Sequence, residues 1–294
     1  MMPASSSRRA ADYWTLTKPE VNLLIGVTTA AGFSLAGAGH GAGVSITGLV
    51  HTVVGTLLVA SGTGTLNQLL ERRFDALMRR TAARPVAAGR IAPWRALVFG
   101  VVLVTAGTLE LAVAVNTLSS VLALATMASY LLVYTPLKRK TPLCTLIGAL
   151  PGAAPPLIGW AGATGALSVE AWILYSMVFL WQFPHFMAIA WMYREDYRRA
   201  GYRVVPRDKP IVPFVLCQMM IPLLVLVPLS VTPVLFGRAG LVYLVTALVL
   251  GAGFIYRADR LAVHQSNAMA RRLLVTSIVY LPLIFIALML ERGF

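Results

Sequence analysis

Charged residues are scarce in this chain of 294 residues, and their scarcity limits the kind of protein it can be. Asp, Glu, Lys and Arg together make up only 12% of the sequence, against roughly 25% in typical soluble domains. Apolar residues reach 58%, so too few charges are present to cover a water-exposed surface. The composition excludes an ordinary soluble globular protein and predicts that lipid is the solvent for most of the chain.

Cysteine is nearly absent too, with Cys144 and Cys217 as the only two. Both lie inside apolar runs, and the sequence contains no CxxC, no CxxCH and no Cys/His cluster. It therefore gives no support for a zinc site or for a covalently attached c-type haem.

Acidic residues are outnumbered by basic ones, 11 to 25, which gives a net charge of +14. A nucleic-acid-binding protein carries its basic residues on one face of a polar surface. Here they lie in short loops between long apolar runs. The excess of positive charge therefore does not indicate a nucleic-acid partner.

Long stretches without charge divide the chain into five blocks. Four blocks of 42 to 53 residues contain at most one charged residue each, and a fifth has 18 residues and none; they are 21–70, 96–137, 141–193, 211–256 and 273–290. One bilayer crossing takes about 20 residues, so each long block predicts a helical hairpin and the last a single helix. The turns are expected at residues 37–43, 110–116, 162–170 and 237–240. The expected fold class is an all-α integral membrane protein with about nine transmembrane helices.

Basic residues predict the orientation of these helices. Of the 25 Lys and Arg, 23 lie in the N-terminal tail or in loops between blocks, and only Arg238 and Arg292 lie on the other side. Since cytoplasmic loops carry the excess of Lys and Arg, we expect the N-terminus in the cytoplasm and the C-terminus outside. The expected organisation is a cytoplasmic tail, 1–20, and a single membrane domain, 21–290, whose cytoplasmic loops are 71–95, 138–140, 194–210 and 257–272.

One acidic motif stands at the end of the first block. Asn67, Glu71 and Asp75 are four residues apart, a spacing that places them on one face of a helix. Their oxygens suit Mg²⁺, which shares its octahedron with phosphate oxygens and water. Arg80 and Arg84 follow and match phosphate geometry. The pattern fits a metal–diphosphate site; the alternative is a charged helix end with local ion pairs.

Two further charged clusters are expected on the same side of the membrane. Glu195 and Asp196 could supply oxygen ligands to a second metal, or could be a solvated pair in a loop. Lys138 and Arg139 lie in the short turn between the fourth and fifth helices. These cations could hold phosphate, or could simply follow the positive-inside rule.

Polar residues within the apolar blocks are the remaining candidates. Gln182 and His185 lie in the stretch Trp-Gln-Phe-Pro-His-Phe at 181–186, and such residues are costly in a membrane unless they have a function or a partner. The alternative is a hydrogen bond between two helices. His51 is expected to have no polar company and is interpreted as structural.

Together these motifs resemble the UbiA superfamily of intramembrane prenyltransferases. The first acidic motif of that superfamily is matched by Asn67, Glu71 and Asp75, followed by Arg80-Thr81 and Arg84-Pro85. Other matching stretches occur in order along the chain: Leu16-Thr17-Lys18-Pro19, 134–139, 181–186, 196–201, Arg272-Leu273 and 277–281. The chain departs from the family pattern in three places. The family often has Asp at the position of Glu71, the stretch 202–209 is more charged here, and the second acidic motif is reduced to Glu195-Asp196.

The resemblance implies a UbiA-type helical bundle around a cavity open to lipid, in a bacterial cell inner membrane. Within the superfamily it points to the branch that acts on haem. The implied reaction transfers farnesyl from farnesyl diphosphate to the vinyl group of haem B, giving haem O for terminal oxidases. A downstream haem-modifying enzyme is a candidate partner, and the lipid bilayer is expected to surround the protein.

The resemblance also implies residue roles. Mg²⁺ would be held by four acids, with Asn67 in support: Glu71, Asp75, Glu195 and Asp196. The leaving diphosphate would be stabilised by four cations: Arg80, Arg84, Lys138 and Arg139. Haem would be oriented by His185 and Gln182, with Trp181 and Tyr134 as further candidates. The alternatives are a sister enzyme that prenylates an aromatic acid or a chlorophyll precursor, and a transporter without chemistry.

Overall fold

The computed structural model describes residues 6–39, 44–204 and 211–291, and within them the regular elements are all helices. In chain order they are α1 Ser6–Leu16, α2 Pro19–Gly39, α3 Ile46–Asp75, α4 Pro93–Ala114, α5 Thr117–Ala128, a π-helical segment Ser129–Tyr134, α6 Thr135–Leu137, α7 Cys144–Gly152, α8 Pro155–Thr164, α9 Val169–Met192, α10 Arg194–Arg199, α11 Ile211–Leu235, α12 Leu241–His264 and α13 Asn267–Leu290.

Nine helical stretches in the described part of the chain are long and apolar enough to cross a membrane. Seven are single helices: α2, α3, α4, α9, α11, α12 and α13. The fourth crossing, Thr117–Leu137, joins α5, the π-helical segment and α6, and the fifth, Cys144–Thr164, joins α7 and α8. Each long uncharged block holds two crossings and the last block holds one, so the predicted all-α multi-pass fold is confirmed.

The turns inside the hairpins lie close to their predicted positions. Asn116 caps the N-terminus of α5 by accepting a hydrogen bond from the Ser119 amide (2.9 Å). Gly165 ends α8 and Gly237 follows α11, both with positive φ (68° and 66°), a conformation that glycine adopts without steric cost. Of the first predicted turn, 37–43, residues 40–43 lie outside the described residues.

Two of the loops expected on the cytoplasmic side are shorter than their expected ranges because the helices continue past the first charged residues. Helix α3 runs through Asp75 and α4 begins at Pro93, so the first loop is 76–92 rather than 71–95. Only Gln265 and Ser266 separate α12 from α13 in the region expected as loop 257–272. Charged residues mark the edge of the bilayer. A helix makes its backbone hydrogen bonds within itself, so it can continue past that edge. Residues 205–210 of the expected loop 194–210, and 1–5 of the tail, lie outside the described residues.

Helix α9 lies at the centre of the larger core, where it packs against α7, α8, α11 and α13. The outer faces of the bundle expose large aliphatic side chains; Val113 and Leu132, for example, are 85% and 74% exposed. Such faces are stable only against lipid. The bundle therefore has a packed interior and an apolar exterior, as a multi-pass membrane protein requires.

Helices α3 and α4 pack closely through facing glycines. A Cβ at Gly62 would lie 2.6 Å from the Gly100 carbonyl oxygen, and one at Gly107 would lie 2.6 Å from that of Gly55. Small residues let membrane helices approach backbone to backbone. This seam holds α3, whose end carries the predicted acidic motif.

One expectation about these two helices is corrected. His51 was interpreted as lacking polar company, but its Nδ1 contacts the Glu110 carboxylate across the α3–α4 interface. The two residues are 59 positions apart, so no local spacing could reveal the pair.

Candidate active site

The last three turns of α3 place the predicted acidic motif inside the protein. Asn67, Glu71 and Asp75 share one helix face, and their exposed fractions are 1%, 6% and 1%. Burying carboxylates costs free energy unless each one has a charged or hydrogen-bonding partner. The contacts of these three side chains therefore define the site.

Glu71 is held by two donors from distant parts of the chain. Lys138 Nζ, just after α6, donates to both carboxylate oxygens at 3.0 and 3.2 Å. The Tyr202 hydroxyl donates to Oε1 at 2.9 Å. Burial raises the pKa of the Tyr202 phenol, and the Glu71 charge raises it further, so Tyr202 stays protonated and remains a donor.

Asp75 is bound by an arginine of the loop that follows α3. Arg84 Nη1 lies 2.9 Å from each carboxylate oxygen. Thr81 Oγ1 donates to the Asp75 carbonyl at 3.0 Å, which folds the loop back over the end of the helix. The arginine predicted to bind phosphate thus pairs with the nearest acid of the motif.

A buried lysine completes the cluster and was not among the predicted site residues. Lys18, between α1 and α2, donates from Nζ to Asn67 Oδ1 at 2.8 Å. Burial, together with the positive charges of Arg84 and Lys138, lowers the pKa of Lys18 to about 7, although Glu71 and Asp75 act against that shift. Each member of the acidic motif therefore has one basic partner: Lys18 for Asn67, Lys138 for Glu71 and Arg84 for Asp75.

Asn67 connects this cluster to the irregular fourth crossing. Its Nδ2 donates to Thr135 Oγ1 at 3.2 Å, and that hydroxyl donates to the Tyr130 carbonyl at 2.9 Å. Tyr130 and Tyr134 lie in the π-helical segment, with their ring centroids 5.8 and 4.6 Å from Lys138 Nζ. A π-helical turn widens the helix, and such turns are frequent at functional sites.

The second acidic pair is divided between two environments. Asp196 is 7% exposed, accepts a hydrogen bond from the Arg80 amide (3.1 Å) and pairs with Arg199 (3.1 Å). Glu195 has a side chain that is 61% exposed and pairs with Arg198. Of the two acids, only Asp196 faces the loop that follows α3 and contains Arg80.

The other predicted cations lie around the rim of the cluster. The Arg80 guanidinium lies 4.5 Å from the Tyr193 ring centroid and donates to the Tyr197 hydroxyl at 3.2 Å. Arg139 is exposed, and its guanidinium lies 4.2 Å from the Phe74 ring centroid. Cation–π contacts hold both side chains at the end of α3, where neither pairs with Glu71 or Asp75.

The polar residues of α9 contact different neighbouring helices. His185 Nδ1 lies 2.8 Å from Ser277 Oγ of α13, and its ring stacks on Trp181, whose Nε1 donates to the Ser277 carbonyl at 2.8 Å. Gln182 donates to the Ala149 carbonyl of α7 at 3.2 Å. His185 and Gln182 therefore lie on the same helix but form hydrogen bonds with different helices, α13 and α7.

Three residues of the site were missed by the sequence reasoning: Lys18, Thr135 and Tyr202. Lys18 had a visible signal, because it is a lone cation directly before Pro19 and the first uncharged block. Tyr202 had none, since it lies 131 positions from Glu71. Contacts over such distances depend on how the helices pack.

Comparison with known proteins gives this arrangement a family. The model of the UbiA prenyltransferase family matches residues 25–288. A curated protein of Solibacter usitatus, named protoheme IX farnesyltransferase, is 46% identical over 287 residues, which cover 96% of this chain and 98% of that protein.

Solved structures agree on the fold. A digeranylgeranylglyceryl phosphate synthase superimposes with a TM-score of 0.76 at 15% identity, covering 97% of this chain and 99% of that one. A UbiA homologue from Archaeoglobus fulgidus, bound to GPP and Mg²⁺, gives a TM-score of 0.60 at 15% identity, covering 94% and 99%. By the family model and the curated relatives, the chain belongs to the UbiA prenyltransferase family and, within it, to the protoheme IX farnesyltransferases.

Proposed function

We propose that this protein transfers the farnesyl group of farnesyl diphosphate to a vinyl group of haem B, producing haem O. The observation that carries the proposal is the buried cluster at the end of α3, where Lys18 donates to Asn67, Lys138 to Glu71 and Arg84 to Asp75. The curated relatives bear the name of this activity. The haem O would serve terminal oxidases in the same membrane.

The cluster suits the ionisation of an allylic diphosphate. The C–O bond of farnesyl diphosphate breaks, and the electron pair leaves with the diphosphate. Lys18 and Lys138 lie where they can neutralise the charge that builds on the leaving group, and in a buried site such charges act more strongly than in water. Arg84 can turn from Asp75 to phosphate oxygens, which suit its planar fork.

The donor set fits a divalent cation, and Mg²⁺ is the metal we propose. Within the described residues no group of three or more His, Cys, Asp and Glu could hold a metal ion by itself. Mg²⁺ commonly takes one or two carboxylates and completes its octahedron with substrate phosphates and water. Glu71 and Asp75 would hold it, with Asn67 in support and Asp196 on the facing loop, and it would supply further charge stabilisation for the diphosphate.

Glu195 is the least suited of the predicted metal ligands. Its carboxylate is exposed and pairs with Arg198, whereas the Asp196 carboxylate is buried beside Arg80. A metal ligand has to be aimed into the site. We therefore retain Asp196 as the ligand from the second acidic pair.

The acceptor is proposed to lie deeper in the bundle, beside α9. The haem vinyl attacks the farnesyl carbon, and water adds to the resulting cation with loss of a proton, which leaves the hydroxyl of haem O. His185, Gln182, Trp181 and Tyr134 remain the proposed haem-contacting residues. The farnesyl chain keeps haem O in the bilayer, so a haem-modifying enzyme of the same membrane is the proposed consumer.

The proposed location is the bacterial inner membrane, with the N-terminus and the acidic cluster on the cytoplasmic side. The support is the distribution of Lys and Arg, 23 of which lie at one end of the predicted crossings. Farnesyl diphosphate carries a charged head and an apolar tail, so a site at this boundary can receive both ends.

The test is mass spectrometry of haem pigments after expression in a bacterial strain that lacks haem O. Wild type is expected to restore haem O. Asp75→Ala is expected to abolish it while the protein still inserts, and Glu71→Asp is expected to retain more activity than Glu71→Ala because it keeps the carboxylate. A strong chelator of divalent cations is expected to stop turnover by the purified wild type.

Two results would contradict the proposal. Full haem O production by Asp75→Ala, or activity that persists in the chelator, would exclude the metal–diphosphate mechanism. A purified wild type that leaves haem unchanged but prenylates an aromatic acid would show that the chain is a sister enzyme with another acceptor.

A further inference from the structure

A basic notch lies between α12 and α13, away from the acidic cluster. It is an open depression with a volume of about 430 Å³, lined by Arg257, Ala268, Arg271, Arg272, Val275 and Thr276. None of these residues belongs to the site described above. The notch therefore calls for an explanation of its own.

The notch lies at the same end of the bundle as the acidic cluster. As the eighth crossing, α12 runs in the same direction as the second crossing, α3, and both end on one face of the membrane. Arg194, two residues before Asp196, donates to Asn267 Oδ1 at the start of α13 at 3.0 Å. By the charge distribution this is the cytoplasmic side.

The three arginines of the notch have no acidic partner in the described part of the chain. Elsewhere, five arginines pair with carboxylates: Arg84, Arg90, Arg198, Arg199 and Arg238. Arg257 has only a ring contact, 5.6 Å from the Tyr256 centroid. Three positive charges carried by residues that line one notch repel one another, so an anion bound there would relieve that repulsion.

The surroundings of the notch are apolar and face outward. Val275 and Val279 on α13 are 54% and 48% exposed, and Val263 and Tyr256 on α12 are 63% and 55% exposed. A ligand whose head lies in the notch would therefore lay its remaining surface along apolar helix faces. That combination suits an amphipathic anion rather than a fully soluble one.

We propose that the notch binds the phosphate of an anionic phospholipid, whose acyl chains lie along α12 and α13. The planar forks of Arg257, Arg271 and Arg272 match phosphate oxygens. Basic pockets between transmembrane helices on the cytoplasmic side bind phospholipid head groups in this way. The notch is thus a lipid-binding site, separate from the proposed catalytic site and independent of its substrate.

The experiment uses the full-length protein in mild detergent and counts bound lipid by native mass spectrometry. Wild type is titrated with phosphatidylglycerol and, separately, with zwitterionic phosphatidylcholine. The notch variant carries Arg257→Gln, Arg271→Gln and Arg272→Gln. A matched control removes three cations that do not line the notch, by Arg95→Gln, Lys140→Gln and Arg260→Gln. The single variant Arg271→Gln is measured as well, in case the triple variant does not fold.

Wild type is expected to retain phosphatidylglycerol and not phosphatidylcholine. Each basic residue near an anionic lipid surface contributes about 1 kcal/mol, so the notch variant is expected to bind phosphatidylglycerol on the order of 100-fold more weakly. Arg271→Gln is expected to lose roughly fivefold by the same reasoning. The matched control is expected to bind like wild type.

Several outcomes would overturn the proposal. One is retention of phosphatidylglycerol by the notch variant, or by Arg271→Gln where the triple variant does not fold. Another is an equal loss in the matched control, which would indicate general attraction to the basic surface. Binding of inorganic phosphate as tight as that of the lipid would make the notch a site for soluble anions. Weakened haem binding in the notch variant with unchanged lipid binding would assign it to the haem propionates.

Discussion

Lys18 is the residue whose role depends most on the tertiary structure. It has φ +55°, a left-handed conformation that is uncommon for residues other than glycine. This bend between α1 and α2 turns the side chain towards α3, where it passes Gly64; a Cβ on Gly64 would lie 3.3 Å from Lys18 Cδ. A strained backbone that buries a cation is a cost to stability, and such costs cluster at functional sites.

We expect Lys18→Met to impair catalysis without weakening the fold. Methionine keeps most of the apolar stem but loses the hydrogen bond and charge offered to the diphosphate. A hydrogen bond to a charged group contributes about 1.5–3 kcal/mol, so kcat/KM for farnesyl diphosphate should fall roughly 10- to 100-fold. The thermal midpoint should stay level or rise, because a buried lysine is removed.

The matched control for this substitution is Lys140→Met, which removes an exposed cation from the neighbouring loop. It should leave kcat/KM near that of wild type. If Lys18→Met turns over farnesyl diphosphate normally, or if it simply unfolds, Lys18 is a structural residue.

His185→Ala is expected to weaken haem retention about tenfold and to lower the haem O yield. The reason is the loss of one hydrogen bond, which contributes roughly 1.5 kcal/mol. Binding of a farnesyl diphosphate analogue should survive, because its charged end is held at the end of α3. The measurement is a pair of titrations on purified protein, one with haem followed by absorbance and one with the analogue.

Ser277→Ala is the control, since it removes the observed partner of His185 and leaves the imidazole in place. If both variants lose haem binding equally, or neither loses it, the His185–Ser277 bond serves helix packing rather than haem recognition.

At the scale of elements, the site depends on how two helices are positioned. The π-helical segment directs Tyr134 and Lys138 towards α3, and the Asn67–Thr135 hydrogen bond fixes the two crossings to each other. On its other side α3 is positioned by the glycine seam with α4. A small shift of α3 would therefore move Asn67 and both buried carboxylates together.

Gly62→Ala should destabilise the protein and reduce activity. The new Cβ would lie 2.6 Å from the Gly100 carbonyl oxygen and 2.7 Å from Val104 Cγ2. Because backbone atoms block it, the helices must separate, at a cost of about 1–3 kcal/mol. Thermal unfolding in a fixed detergent, with a parallel activity assay, measures both effects.

Gly253→Ala provides the comparison, since a Cβ at Gly253 in α12 meets nothing within 4 Å. It should be neutral or stabilising by up to about 1 kcal/mol, through helix propensity. Equal thermal midpoints for the two variants would show that the α3–α4 seam tolerates separation.

At the scale of the whole molecule, an odd number of crossings predicts that the two termini lie on opposite sides of the membrane. The described part of the chain supplies nine candidate crossings. Of the two basic residues expected outside, Arg238 pairs with Glu170 at 3.5 Å, and Arg292 lies outside the described residues. The pair neutralises the single positive charge in its turn, so it does not oppose the orientation that the other cations favour.

In whole cells, a tag at the N-terminus should be protected from an impermeant external label, and a tag after Phe294 should be labelled. The positive-inside bias supplies the physical reason. Permeabilised cells, in which both tags should react, are the control. Labelling of both ends or of neither in intact cells would exclude this topology.

The sequence by itself determined the class of protein, the number of crossings and the position of the acidic motif at one end of them. A bilayer accepts only segments that are apolar and satisfy their own backbone hydrogen bonds, so the uncharged blocks translate directly into helices. The four-residue spacing of Asn67, Glu71 and Asp75 likewise fixes a shared helix face. These conclusions depend on local periodicity and length alone.

Only the tertiary structure decided which distant side chains meet. Lys18 and Tyr202 reach the cluster, Asp196 turns inward while Glu195 faces solvent, and His51 finds Glu110. Each of these contacts depends on the rotation and close approach of helices that are far apart in sequence. Packing sets those quantities through the glycine seam, the π-helical turn and the bend at Lys18, and no spacing within a single segment encodes them.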